Sequence, residues 1–131
     1  MIVDDSTLVR NMLRGILEVE PALNIVAEAK DGQEALELLS QYDPKLIILD
    51  IEMPIMDGLT FLKYARLRSQ AKVIVLSSVG TVGSPKSIQA YKMGADVVLS
   101  KPSGVISLDL EEKRSSVLIT AIKDLFLRSE L

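Results

Sequence analysis

The chain has 131 residues, enough for one domain with a buried core, and 48% of them are hydrophobic while 25% are charged. The net charge of −3 argues against nucleic acid as a direct partner, because nucleic-acid binders usually present a basic face. Cysteine and histidine are both absent, which excludes disulfides, thiolate metal sites, histidine-ligated zinc and Ser-His-Asp triads.

The sequence shows no membrane or export signal. No apolar run approaches the ~18 residues of a membrane span, and no signal peptide is recognisable at the start. We therefore expect a cytoplasmic protein without membrane contact. Only Met1, Ile2 and Val3 precede Asp4, which is short for a buried strand, so the first strand is expected to be truncated. No linker composition appears, and we interpret residues 1–131 as a single domain.

The first half of the chain alternates between apolar runs and amphipathic segments. In order, it predicts a strand stub at 1–3, a helix, a strand at 24–30, a helix at 32–42 and a strand at 46–49. Ser6 or Thr7 can cap the first helix, and Pro21 follows its end. The continuous apolar run of the third strand is typical of a strand covered on both faces.

The second half continues the alternation. It predicts a helix from Asp57-Gly58 to about 69, a strand at 72–77, a loop at 78–84, a helix from Pro85 to near Gly94, a strand at 96–100, a loop at 102–109 and a last helix to about 129. Five strand–helix units predict an α/β fold with a parallel sheet and helices on both faces. Ligands of such sheets bind at the carboxyl ends of the strands.

Ionisable and hydroxyl side chains follow four of the five predicted strands. The strand ends carry Asp4-Asp5, Asp50, Ser77-Ser78 and Lys101. Each group alone has an ordinary explanation as a helix cap, a turn residue or a solvated lysine. Because the carboxyl ends of parallel strands meet at one edge, the combination instead predicts a shared site.

Three neighbouring carboxylates repel one another and stay ionised only beside cations. Lys101 supplies one positive charge. With oxygen ligands and no histidine or cysteine, a hard ion such as Mg²⁺ is indicated as the second. Asp50 beside both cations is placed to attack phosphorus and form an aspartyl phosphate. The hydroxyl of Ser77 could donate to a phosphoryl oxygen, and the backbone carbonyl of Glu52 could be a further metal ligand.

Five motifs in this order resemble the receiver domain of two-component response regulators. They are VDDS at 3–6, LDIEMPIMDG at 49–58, VIVLSS at 73–78, GAD at 94–96 and KPSG at 101–104. The resemblance implies a flavodoxin-like (βα)5 three-layer sandwich with strand order 2-1-3-4-5, and a histidine kinase as phosphodonor. It implies that Asp50 is the phosphoacceptor, Asp5 a direct metal ligand and Asp4 a ligand through water. Ser77 would be the switch hydroxyl and Lys101 the family's lysine.

A narrower set of motifs is similar to the receiver of chemotaxis protein-glutamate methylesterases of the CheB type. This set consists of EMPIMDGLTFL at 52–62, VLSS at 75–78 and KPSGVISLDL at 101–110. In that family a catalytic domain with a serine nucleophile and a histidine follows the receiver. This chain has no histidine, so the resemblance implies a regulatory domain without its output domain, and methylesterase activity only where a catalytic domain is attached.

Three alternatives remain at the level of the sequence. The chain could be a stand-alone receiver or the receiver of another output class. It could be an aspartyl-phosphate phosphatase or phosphotransferase, since Glu52 stands where such enzymes usually carry a second aspartate. A flavodoxin-like cofactor carrier is the third, although no phosphate-binding loop motif is evident.

Signal output is expected through the loop after Ser77 and Ser78. Val98 occupies the position where many receivers carry a rotating aromatic switch residue, so the usual aromatic read-out is missing.

The last helix is predicted to bury a stripe formed by Arg114, Leu118, Ala121, Ile122 and Leu125. Ile119 and Phe126 share a flank of this helix, and Leu127 lies nearly opposite the stripe; these residues could contact an output domain or a second copy, or could have no partner.

Overall fold

The computed structural model describes residues 1–53, 55–77, 85–101 and 117–126. Its strands are β1 (Ile2–Val3), β2 (Glu28–Ala29), β3 (Leu46–Asp50), β4 (Lys72–Ser77) and β5 (Val97–Ser100). Its helices are α1 (Thr7–Glu18), α2 (Gly32–Tyr42), α3 (Gly58–Arg68) and α4 (Pro85–Lys92), followed by α5, which covers 117–126. The predicted loops at 78–84 and 102–109, together with Ser78, Arg114 and Leu127, lie outside the described residues.

All strand pairs are parallel, and the sheet order is β2-β1-β3-β4-β5. The predicted flavodoxin-like order 2-1-3-4-5 is therefore confirmed. β1 and β3 are neighbours at the centre, with Val3 opposite Leu49. This register brings the residues after Val3 beside the end of β3, where Asp50 lies.

The second strand is much shorter than predicted. The sequence indicates a strand over 24–30, but strand pairing is present only at Glu28 and Ala29. The partner strand β1 contains only Ile2 and Val3, and the amide of Ile2 reaches back as far as the carbonyl of Ala27 at 3.1 Å, so residues 24–26 have no β1 residues with which to form a ladder. Strand length depends on the neighbour as well as on the residue pattern.

Polar side chains begin three helices at the predicted places. The Ser6 hydroxyl accepts a hydrogen bond from the amide of Val9 at 3.2 Å, so Ser6 rather than Thr7 caps α1. Asp31 caps α2 and Asp57 caps α3, each accepting from the backbone amide three residues later at 2.8 Å. These caps fix where each helix leaves the sheet edge.

Two apolar clusters cover the two faces of the sheet. One contains Val3 and Leu49 with side chains of α2, α3 and α4, including Phe61. The other contains Ile2 and Ile48 with side chains of α1 and α5. Leu118 and Ile122 are buried there, as the helical spacing of the last helix predicts. The arrangement is the expected three-layer sandwich.

Within the four described ranges, no helix is both long enough and apolar enough to cross a membrane.

Candidate functional site

Three carboxylates meet where β1 and β3 end. Asp4 and Asp5 follow β1, and Asp50 is the last residue of β3. One carboxylate oxygen from each lies within 4.8 Å of the others. Asp4 and Asp50 are buried, whereas Asp5 is exposed to solvent. The structure thus brings together the three acids that the strand-end pattern predicts.

Backbone amides hold one oxygen of each buried carboxylate. The amide of Ser6 donates to Oδ1 of Asp4 at 2.9 Å, and the amide of Glu52 donates to Oδ1 of Asp50 at 3.0 Å. The Oδ2 atoms of Asp4 and Asp50 are buried as well, and neither accepts a hydrogen bond of good geometry from the described residues. Buried carboxylate oxygens of this kind require a cation or a proton.

Lys101, directly after β5, places its positive charge beside the Oδ2 atoms of both Asp4 and Asp50. Its Nζ lies 3.0 Å from Oδ2 of Asp50 and 3.5 Å from Oδ2 of Asp4. Its amide donates to the carbonyl of Ser77 at 2.7 Å, which ties the ends of β4 and β5 together. Burial acts to lower the pKa of Lys101, but bonding and attraction to Asp50 and Asp4 outweigh it and raise the pKa. Lys101 therefore remains an ammonium.

One ammonium does not balance two buried carboxylates. Burial raises the pKa of Asp50 from 3.8 to about 6, and the nearby charge of Asp4 raises it further. The hydrogen bond from the Glu52 amide and the charge of Lys101 act to lower this pKa, but they do not outweigh the burial. Burial also raises the pKa of Asp4, despite the Ser6 amide and Lys101. The ionised forms are disfavoured, so the site has a remaining demand for positive charge.

The donor set of the cluster suits a hard metal ion. Three carboxylates supply only oxygen, and two of their oxygens are buried beside a single ammonium. Mg²⁺ and Ca²⁺ prefer such ligands, whereas zinc prefers nitrogen and sulfur. The residues present therefore fit a divalent hard cation.

The start of α3 packs against the site without room for a side chain. The amide of Gly58 donates to the carbonyl of Ile51 at 3.2 Å. A Cβ on Gly58 would lie 2.5 Å from the carbonyl oxygen of Asp50 and 2.6 Å from Cα of Ile51. The Asp57-Gly58 pair therefore has two tasks, since Asp57 caps α3 and Gly58 lets the helix approach the strand end.

Comparison with known proteins identifies the family. Residues 1–110 match the response regulator receiver domain family. The chain belongs to that family. The receiver is 40% identical over 118 residues to a protein-glutamate methylesterase/protein-glutamine glutaminase of Carboxydothermus hydrogenoformans, covering 90% of this chain and 33% of the relative. A homologue from Methanococcus maripaludis is 39% identical over 124 residues, 95% of this chain and 34% of the relative. The receiver therefore spans about a third of the length of these relatives.

Solved structures agree with this assignment. The response regulator domain of Thermotoga maritima CheB superposes with a TM-score of 0.84 at 35% identity, covering 94% of this chain and 91% of that domain. A chain in the crystal structure of the P1 domain of CheA3 in complex with CheY6 from R. sphaeroides gives 0.80 at 41% identity, covering 97% and 95%. The chain is a receiver domain homologous to the CheB receiver.

The residues that the sequence assigns to switching are only partly described. Ser77 ends β4 and is buried, opposite Ser100 of β5. Ser78 lies outside the described part of the chain. Val98 is buried in the core cluster that also holds Val3 and Leu49. Its amide donates to the hydroxyl of Tyr91 at 3.0 Å.

Sequence reasoning missed two residues of this receiver that support the site. Tyr91 on α4 is half exposed, and its hydroxyl accepts a hydrogen bond from the amide of Val98 on β5. Arg10 on α1 donates from its guanidinium to the carbonyl of Asp4 at 2.6 Å, and also pairs with Glu28 at 3.8 Å. The spacing of Arg10 and Arg14, one turn apart on α1, was an available signal, because both reach Glu28. No sequence pattern marks Tyr91.

Two cavities differ in their relation to the acids. A cavity of about 460 Å³ lies beside the chain that follows Asp50. Its lining residues are Ile51, Glu52, Ser77, Pro85, Lys86, Ser87 and Gln89. A cavity of about 540 Å³ lies instead at the beginning of β1 and β3, away from the carboxylates. The smaller cavity is the one that belongs to the candidate site.

Proposed function

We propose that this receiver is a phosphoacceptor switch of a chemotaxis-type two-component relay, and that Asp50 accepts the phosphoryl group. The observation that carries the proposal is the placement of the Asp50 carboxylate. It lies buried at the end of β3, 3.0 Å from Lys101 and within 4.8 Å of Asp4 and Asp5 carboxylate oxygens. A nucleophile in this position has positive charge at hand for an incoming phosphoryl group.

In the proposed reaction, a carboxylate oxygen of Asp50 attacks phosphorus. The new O–P bond forms as the bond between phosphorus and the donor nitrogen breaks, and the leaving imidazole takes up a proton. Lys101, at the rim, is proposed to neutralise the phosphoryl oxygens, while the hydroxyl of Ser77 donates a hydrogen bond to one of them. Ser77, with Ser78 and Val98, is proposed to pass the change on to the loop after β4.

Mg²⁺ is the proposed cofactor. Asp4, Asp5 and Asp50 would hold it together with the backbone carbonyl of Glu52, and Asp4 would act mainly through bound water. When bound, the ion supplies positive charge to the phosphoryl oxygens and relieves the repulsion among the carboxylates. The buried Oδ2 atoms of Asp4 and Asp50 support this role.

The proposed phosphodonor is a histidine kinase. Residues 1–131 contain no histidine, so the phosphohistidine donor is proposed to lie outside this domain. The similarity to a chain in the complex of the P1 domain of CheA3 with CheY6 supports such a partner. For this role we propose a cytoplasmic location, without direct contact to nucleic acid or membrane.

We further propose that residues 1–131 form a single regulatory domain of a CheB-type methylesterase. The support is the match to about a third of each methylesterase relative. In that setting, catalysis belongs to an attached output domain. Ile119 and Phe126, partly buried on α5, are candidates for contact with that domain or with a second receiver.

Phosphorylation by a small donor tests the proposed function. The receiver is incubated with acetyl phosphate and Mg²⁺ and its intact mass is measured. We expect one added phosphoryl group, which is lost in Asp50→Asn and when EDTA replaces Mg²⁺. Asp57→Asn, which alters an acid at the α3 cap, serves as the matched control and should still be phosphorylated. A phosphoryl adduct on Asp50→Asn would contradict the proposal.

A further inference from the structure

A guanidinium group that the proposed phosphoryl chemistry does not use holds the backbone of the acid cluster. Arg10, in the first turn of α1, donates from Nη1 to the backbone carbonyl of Asp4 at 2.6 Å and from Nη2 to the hydroxyl of Thr7 at 3.2 Å. Its Nε lies 3.8 Å from a carboxylate oxygen of Glu28 on β2, and only 18% of its side-chain surface is exposed. One side chain therefore connects α1, the end of β1 and β2.

The hydrogen bond from Arg10 takes the place of a ladder bond at the end of β1. The amide of Asp4 donates to the carbonyl of Ala29 at 3.0 Å, so the backbone of Asp4 bonds toward β2. The carbonyl of Asp4 points to the same side, because the amide and the carbonyl of one strand residue face the same neighbour. β2 ends at Ala29, and the donor that reaches this carbonyl is the guanidinium of Arg10.

The carbonyl of Asp4 belongs to the peptide group that joins Asp4 to Asp5. Because the peptide group is planar, fixing its carbonyl also fixes the direction in which the backbone continues into Asp5. The Asp5 carboxylate is exposed, whereas those of Asp4 and Asp50 are buried and each accepts a bond from a backbone amide. Arg10 therefore acts on the acid whose side chain is the least enclosed of the three.

The contribution of Arg10 to the site is geometric rather than electrostatic. Glu28 opposes its charge, and Arg14, one turn further along α1, binds the same carboxylate at 2.5 Å. The ammonium that pairs with the buried acids is that of Lys101. Loss of the Arg10 side chain would therefore release the peptide after Asp4 without removing the cation between the carboxylates.

We propose that Arg10 is a positioning residue for the cation site. Its bond to the Asp4 carbonyl keeps the Asp5 carboxylate beside that of Asp50, within the observed 4.8 Å. The inference rests on the proposed hard-cation site and extends it to a side chain that is not itself a ligand. Mg²⁺ demands nearly ideal ligand geometry, so a misdirected carboxylate costs affinity. Residues that orient metal ligands in this way commonly contribute about 10–100-fold to metal affinity.

Calorimetric titration of two matched variants with Mg²⁺ tests this role. Arg10→Met removes the donor to the Asp4 carbonyl but keeps an apolar stem in the same place. Arg14→Met is the control, because it removes the other arginine that pairs with Glu28, one turn further along α1. We expect Mg²⁺ binding to weaken ~10-fold in Arg10→Met, whereas Arg14→Met should bind as the unmodified chain does. Urea unfolding in EDTA establishes that each variant is folded before the titration.

Backbone NMR in EDTA supplies a second readout that does not depend on Mg²⁺. The amide of Asp5 belongs to the peptide whose carbonyl Arg10 binds, so its ¹H and ¹⁵N resonances should move in Arg10→Met and stay in place in Arg14→Met.

The outcomes separate this inference from the proposed function. Unchanged Mg²⁺ affinity in Arg10→Met, an equal loss in both variants, or an unmoved Asp5 amide resonance in Arg10→Met would overturn the positioning role while leaving the cation site in place. Absence of Mg²⁺ binding by the unmodified chain would instead contradict the proposed cation site, and the inference with it.

Discussion

Asp50 is the proposed nucleophile, and its buried carboxylate is also expected to destabilise the folded protein when Lys101 is the one cation beside it. Its carboxylate is buried beside Asp4, and only Lys101, among the described residues, opposes the two charges directly. The same features that make Asp50 reactive therefore disfavour its ionised form in the folded state. Functional sites commonly retain such local conflicts because the ligand relieves them.

The raised pKa of Asp50 gives a pH-dependent stability prediction. Because the folded pKa of about 6 exceeds 3.8, the folded state binds more protons between these values, and this group's contribution to stability falls as the pH rises from about 4 to 6. In EDTA at pH ~7.5, we expect Asp50→Asn to raise the free energy of unfolding by about 1–2 kcal/mol. The raised pKa of Asp50 alone corresponds to ~3 kcal/mol. The expected gain is smaller because the substitution also removes the ion-pair partner of Lys101.

Urea denaturation at pH ~7.5 and pH ~4 measures this effect. The gain from Asp50→Asn should shrink strongly at the lower pH, where the native carboxyl is already protonated. Asp57→Asn is the control. The hydrogen bond from the Thr60 amide is the main cause that lowers the pKa of Asp57, so its ionised form is favoured in the folded state and its removal should give no gain in stability. An equal effect of Asp50→Asn at both pH values would show that burial of charge is not the cause.

At the scale of elements, the site depends on how closely α3 approaches the end of β3. Gly58→Ala is expected to lower the free energy of unfolding by about 1–3 kcal/mol, because its Cβ would meet backbone atoms of Asp50 and Ile51 that cannot move independently. A Cβ added at Gly15 in α1 would meet nothing within 4 Å, so Gly15→Ala should stabilise by ~0.5–1 kcal/mol. Thermal and urea unfolding of both variants would check this contrast.

The same elements show how far the sequence predicts the fold. Apolar runs and helix caps predict the order of strands and helices, because these signals are local in the sequence. The acids at the strand ends predict the cluster, because the carboxyl ends of parallel strands meet at one edge of the sheet. The extent of β2 was overestimated because strand pairing depends on β1, more than twenty residues away. The contacts of Arg10 and Tyr91 are not predicted either, although their partners Asp4 and Val98 lie only six and seven residues away, because each contact depends on how a helix packs against the sheet.

At the scale of the whole molecule, the sheet has two ends with different properties. Its carboxyl end gathers three acids and Lys101, and its amino end holds an apolar cavity. Charge at the first end serves the proposed chemistry, and the cavity at the second end lies away from the carboxylates. Substitutions at one end can therefore be made without touching the other.

The central claim is that Asp4, Asp5 and Asp50 form a site completed by a hard cation. Calorimetric titration with Mg²⁺ tests it most directly. We expect one ion per chain, and an affinity at least ~10-fold weaker in Asp5→Asn, which removes an exposed ligand without disturbing the core. Asp43→Asn, which alters an exposed acid at the end of α2, should bind as the unmodified chain does. Unchanged Mg²⁺ affinity in Asp5→Asn would contradict the account.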